Sequence, residues 1–289
     1  MGTPRLPPIT IEKLISETRT VYSLPLFYER LNEAINHPRS SISDIAKIIT
    51  EDQGLTARLL KLANSPMFGY YSRVESISMA VTIIGTQQLR DLALASSVIR
   101  IFRGIPEDVI NMASFWQHSI SCGIIARSIA AYLREINVER FFVAGILHDV
   151  GQLIMYSVIP ETVWKVLETS KEIDQPYYLT EYDQLGFDHA QVGGELFKTW
   201  KIPASIHEPV FSHHAPCRAA QFPLESAILH LSDIICQAME FGHSAEWCVS
   251  SLDEDAWNRL NMPVSMLSTV LKQSEPLIEE TFAILMEES

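Results

Sequence analysis

Apolar residues in this chain fall at helical spacing along nearly its whole length, and no alternating apolar–polar run is long enough to build a sheet. A chain patterned in this way buries its side chains by packing helix against helix. The expected fold class is therefore all-α, a multi-helical bundle. Pro160, Pro176, Pro203, Pro223 and Pro263 punctuate the C-terminal half. Helices are expected at 11–20, 26–36, 44–50 (N-capped by Ser43), 55–63, 78–84 and 87–102. Beyond these, they are expected at 108–133, 139–157, 161–172, 177–185, 189–200, 204–213, 224–242 and 265–285.

Gly104-Ile105-Pro106 suggests a boundary, dividing the chain into an N-terminal helical subdomain, 1–105, and a second helical subdomain, 106–289. The two parts differ in charge. Residues 1–105 carry 12 Lys+Arg against 9 Asp+Glu, and the remainder 10 against 26. A net charge of −13 argues against non-specific nucleic-acid binding. The two helices around Gly85 share a layout with helix-turn-helix DNA readers, but the second offers only Arg90 and Arg100 for groove or phosphate contacts. No apolar stretch approaches the roughly 18 uninterrupted residues of a membrane span. The opening MGTPRLPPIT lacks the charged-then-apolar pattern of a secretory signal, so a cytoplasmic location with no membrane partner is expected. Cys122, Cys217, Cys236 and Cys248 form no Cys-x-x-Cys pair and read as free thiols, mostly core.

The segment LLKLANSPMFGYYSRVESISMAVTIIGTQQLRDLALAS reads as helix, Asn-Ser-Pro stop, aromatic loop, helix, Gly turn, helix. Through Leu60, Leu62, Asn64, Ser65, Phe68, Gly69, Ile77, Ala80 and Gly85 it closely resembles the hallmark of HDOD domains. The resemblance extends over about residues 20 to 240 and implies an all-helical module of bacterial signalling proteins. Within the motif, Asn64 and Ser65 are expected to cap helices and hold the loop.

Eight of the nine histidines lie in the C-terminal half. Imidazole and carboxylate together suit first-row transition metals. His148-Asp149 and Asp233 interrupt apolar helices, where a carboxylate is costly unless paired or bound to a cation. A single histidine on an apolar helix is more often a satisfied core residue, so it is the joint pattern that points to metal. His230, three residues before Asp233, reads as a support for it, and His37, His207 and His243 as packing or surface residues. In order, His118, His148, Asp149 and Asp233 resemble the signature of the HD superfamily of metal-dependent phosphohydrolases. His189, His213 and His214 resemble the additional ligands of its HD-GYP branch, which cleaves cyclic di-GMP. The resemblance implies one or two divalent transition ions, iron or manganese, bridged by Asp149, in an HD-like bundle. It also departs from that branch: Gln152 stands where a lysine is found, Ser114 replaces an acidic residue of some sites, and APCRAAQFP replaces the Gly-Tyr-Pro loop.

Three activities remain open on these residues: a signalling module with weak or no cyclic di-GMP hydrolysis, a phosphohydrolase of a nucleotide or phosphodiester, and an oxygen-activating di-iron enzyme. The expected partner is a signalling protein, docking near Phe68, Tyr70 and Tyr71, or a nucleotide ligand. Arg127 and Lys165 are basic residues without an assigned role.

Overall fold

The computed structural model describes residues 9–18, 22–103, 105, 110–243 and 248–287. Among these residues there is no strand. The N-terminal half contains α1 (Ile11–Thr18), α2 (Leu26–Asn36), α3 (Ile42–Thr50), α4 (Gln53–Ala63), α5 (Ile77–Ile84) and α6 (Thr86–Ile101). The C-terminal half begins with α7 (Met112–Tyr132), α8 (Glu139–Leu147), α9 (Val150–Val158), α10 (Pro160–Ile173) and α11 (Tyr177–Leu185). It continues through α12 (His189–Thr199), α13 (Ala204–Ser212), α14 (Pro223–Ala238), α15 (Glu254–Leu260) and α16 (Ser265–Met286). Gly104 and Pro106 of the expected boundary, Arg19-Thr20 and the start of the expected 108–133 helix lie outside the described residues.

Local chemistry sets the helix ends. Ser43, expected to cap α3, lies inside that helix, and Ser41 caps it instead. Ser41 Oγ accepts the Asp44 N–H at 3.2 Å while Asp44 Oδ2 accepts the Ser41 N–H at 2.9 Å, a reciprocal box. Asp52 starts α4 two residues earlier than Leu55, accepting the Leu55 N–H at 2.9 Å. Asn64 holds the aromatic loop, its amide donating to Val74 O and its Oδ1 accepting the Val74 N–H, at 2.9 and 2.8 Å. α14 stops at Ala238 rather than 242, where Glu240 and Gly242 turn the backbone left-handed at φ 55° and 71°. α15 was not expected; Asp253 caps it by accepting the Ala256 N–H at 2.8 Å.

The apolar stretch expected as one helix over 139–157 is two helices, α8 and α9, broken at His148-Asp149. The stretch Glu139–Val158 is long and apolar enough to cross a membrane, yet 89% of its most apolar 18 consecutive residues are buried inside the protein, as a core element is. α7 crosses α8 so closely that a Cβ on Gly145 would lie 2.4 Å from Gly123 Cα. α9 meets α12 in the same manner: a Cβ on Gly151 would lie 1.9 Å from His189 O. These two crossings bring α7, the α8–α9 break and the start of α12 to one point.

One apolar core runs through both halves, from Leu14 of α1 to Leu285 of α16, and a second joins α7, α14, α15 and α16. α6 packs on α8, α1 on α9 and α12, and α16 on both α7 and α4. Arg90 lies buried on α6 with its Nε and Nη2 on Asp91 Oδ1 at 2.9 and 2.7 Å, and Arg100 pairs with Asp52 at 2.6 Å. The two arginines considered for phosphate contact are thus both engaged in ion pairs.

Candidate metal centre

Five segments deliver polar side chains to one buried point. α7 brings His118, the α8–α9 break His148 and Asp149, the first turn of α12 His189, the end of α13 His213 and His214, and α14 Asp233. All seven residues singled out from the sequence meet here. Asp149 lies between two groups. Its Oδ2 is 3.2 Å from His148 Nε2 and 3.7 Å from His118 Nε2; its Oδ1 is 3.1 Å from His189 Nε2 and 3.7 Å from His213 Nε2. Asp233 Oδ1 is 3.1 Å from His118 Nε2 and 3.7 Å from His148 Nε2. His214 Nε2 lies 2.9 Å from His189 Nε2, and Tyr178 stacks on the His214 ring at 4.1 Å.

Backbone carbonyls fix the imidazole tautomers. His148 Nδ1 is 2.7 Å from Gly145 O and His213 Nδ1 2.7 Å from Val210 O. A carbonyl only accepts, so each Nδ1 carries a proton. The Nε2 atoms of both rings are buried with no hydrogen-bond partner. Buried nitrogens of this kind, aimed at carboxylates, are the arrangement a metal ion satisfies. His230 is different: its Nδ1 donates to His213 O at 2.7 Å and its Nε2 accepts the Asp253 N–H at 3.0 Å. With both nitrogens engaged it supports the α13 terminus and offers no ligand atom.

Burial works to neutralise these groups, and around His148, His189, Asp149 and Asp233 the neighbours oppose it. His148 is drawn down by burial but pushed up to about 10 by the Asp149 and Asp233 carboxylates. His189, likewise opposed by burial, is held well above its ordinary range by Glu181 and Asp149. Burial would raise Asp149 and Asp233, but the histidines around them hold both well below the usual carboxylate range. Burial and the neighbouring His148 and His189 push His213 down to about 3. Ionised carboxylates balanced by protonated histidines suit a pocket that exchanges protons for a divalent cation.

Two members of the cluster were missed by the sequence reading. Glu181 of α11 is fully buried; its Oε2 accepts from His189 Nδ1 at 2.6 Å and from the His189 N–H at 3.0 Å. This leaves Nε2 of His189 to face Asp149. Cys122, one turn beyond His118 on α7, has its Sγ 3.6 Å from His118 Nε2. The ligand atoms of His118, Cys122, His148 and Asp233 all lie within 4.8 Å of one another, as do those of His189, His213 and His214. The spacing of four between His118 and Cys122 was a readable signal. The residues therefore fit a divalent metal ion.

Residues 21–216 match the family model described as the HDOD domain. A curated relative, an uncharacterized protein of Treponema pallidum, is 27% identical over 192 residues, which is 66% of this chain but only 37% of that protein's length. An HDOD domain protein of unknown function from Geobacter sulfurreducens superposes with a TM-score of 0.72 at 24% identity, covering 95% of this chain and 96% of its own. A candidate phosphohydrolase from Shewanella amazonensis gives a TM-score of 0.72 at 24% identity, covering 94% and 97%. At these identities the solved structures establish a common fold.

Proposed function

This chain belongs to the HDOD family, and we propose that it is a cytoplasmic signal-transduction module that holds divalent metal in an HD-like centre and hydrolyses cyclic di-GMP weakly or not at all. His118, His148, Asp149 and Asp233 hold one ion; Asp149, His189, His213 and His214 hold a second, with iron or manganese as the occupants. A signalling protein or a nucleotide is the partner. The observation that carries the reading is burial. His148, His189 and His213 are 0% exposed, His118 and Asp149 2%, and Asp233 3%, with His214 alone half-buried. A working hydrolase needs an open ligand position facing a cleft, so that water and phosphate can enter.

Gln152 supports the same reading. It is buried beside the cluster, with Nε2 3.4 Å from His189 Nε2 and Oε1 without a partner. A neutral amide lacks the charge that a lysine gives to phosphate, and losing such a stabilising group costs roughly 10²–10³ in rate.

The second reading is a metal-dependent phosphohydrolase of a nucleotide or phosphodiester. The donor set and the description of the Shewanella neighbour favour it. When bound, ions in such a site polarise phosphate and lower the pKa of water. Steady-state hydrolysis of cyclic di-GMP and a nucleotide panel by metal-loaded protein separates the two. The signalling reading expects slow or undetectable turnover. Efficient turnover that vanishes in Asp149→Ala would place the hydrolase first.

A further inference from the structure

Resting on the reading of the cluster as a metal centre, we propose that Cys122 is a further ligand of the first ion, which is then bound by a mixed set of thiolate, imidazole and carboxylate: Cys122 with His118, His148 and Asp233, and Asp149 bridging to the second position. Three observations lead there. Cys122 Sγ is fully buried and 3.6 Å from His118 Nε2. His118 Nε2 and His148 Nε2 lie 3.1 and 3.7 Å from Asp233 Oδ1. Ligand atoms that share one ion at ordinary zinc–nitrogen and zinc–sulfur distances, at angles of about 90–120°, are separated by about 2.9–3.8 Å. His148 Nε2, one corner of that set, is buried with no hydrogen-bond partner.

Without a cation the surroundings keep the sulfur a thiol: burial, Cys236 and the Asp233 and Asp149 carboxylates all push it well up, so the ion itself stabilises the thiolate. Its Sγ also lies 3.9 Å from Ser232 O, a weak S–H acceptor that is easily given up. Binding breaks the Cys122 S–H bond, forms a metal–sulfur bond and releases that proton to solvent. A soft thiolate favours iron, cobalt or zinc over manganese at this position. The second group, His189, His213 and His214 with Asp149, contains no sulfur, so the two positions differ in the ions they prefer.

The test is optical and independent of turnover. The full-length chain, stripped of metal by chelation, is titrated anaerobically with Co²⁺. The expected result is a near-ultraviolet thiolate-to-cobalt charge-transfer band, lost in Cys122→Ser and retained in Cys217→Ser and Cys236→Ser. Cobalt affinity of the first position falls in Cys122→Ser by at least the roughly 10–100-fold that loss of an outer partner of a ligand costs. The wild-type band shows a thiolate ligand, and where Cys122→Ser folds poorly its persistence in Cys217→Ser, Cys236→Ser and Cys248→Ser assigns it to Cys122. Stoichiometric cobalt with visible ligand-field bands and no charge-transfer band, or a band that follows Cys236, overturns the role of Cys122 and leaves the metal centre standing. Failure to bind cobalt in the pocket overturns the metal centre itself, and this inference with it.

Discussion

Glu181 acts on the centre through one atom. Its Oε2 holds both the Nδ1 proton and the backbone N–H of His189, which fixes the ring and raises its basicity. Glu181→Gln keeps the shape and one acceptor oxygen but loses the charge. The expected outcome is a 10–100-fold weaker affinity for metal with unchanged far-ultraviolet circular dichroism, read by titration with a chelator of known strength. Asp149 is the ligand whose loss should be felt by both groups, since its two oxygens face different histidines. The His-Asp order could be read along the chain because His148-Asp149 and Asp233 interrupt apolar stretches and so draw attention to their cost, with the other histidines falling in a recognisable order around them. Glu181 could not: it sits among other polar residues of α11, and only the turn at Gly186, left-handed at φ 86° between α11 and α12, brings it to His189. Cys122 is legible only in its spacing of four from His118, since by composition a thiol among Ile120, Ile124 and Ile125 has the pattern of ordinary core.

At the level of elements, the helices were legible wherever periodicity and caps agree, and their breaks were not. The residues from Phe141 to Met155 are apolar enough to continue straight through His148-Asp149, so nothing in the pattern announces the turn that sets Asp149 at the centre. The crossing of α9 and α12 at Gly151 is what holds His189 to that turn. Gly151→Ala forces its Cβ onto the His189 carbonyl. A loss of about 1–3 kcal/mol from overpacking is expected, together with weaker metal binding, measured by urea denaturation and metal titration on the same variant. On α6, Arg90→Ala leaves Asp91 buried without its guanidinium. Breaking such a pair from one side costs about 3–5 kcal/mol, which a shift in the urea midpoint at constant slope would report. α15 was missed because it is a helix of seven residues in which Ala256 and Leu260 alone are buried, too short to display a period.

Across the whole molecule, the question is whether occupancy of the centre reaches the surface a partner would use. α7 provides a material link. On one side it carries His118 and Cys122; further along, Arg127 lies 5.7 Å from the centroid of the Phe68 ring and 3.6 Å from Glu139 of α8. Phe68 stacks with Tyr70 at 6.1 Å in the loop after α4, where Tyr71 stands fully exposed. An ion that pulls His118 toward His148 sets the position of α7 against α8, and Arg127 touches both α8 and the aromatic loop. The signalling reading therefore expects metal to slow amide hydrogen exchange in two places, in the helices that bear the ligands and in residues 64–75. Arg127→Ala should leave affinity for metal within about twofold, because it lies outside the ligand set, and abolish the change at 64–75. Exchange measured by mass spectrometry on chelated and metal-loaded protein, wild type and variant, reads both effects. Protection confined to α7, α8, α9, α12, α13 and α14 would mean that the loop does not sense the centre. Protection at 64–75 that persists in Arg127→Ala would mean that the coupling runs instead through the packing of α6 on α8.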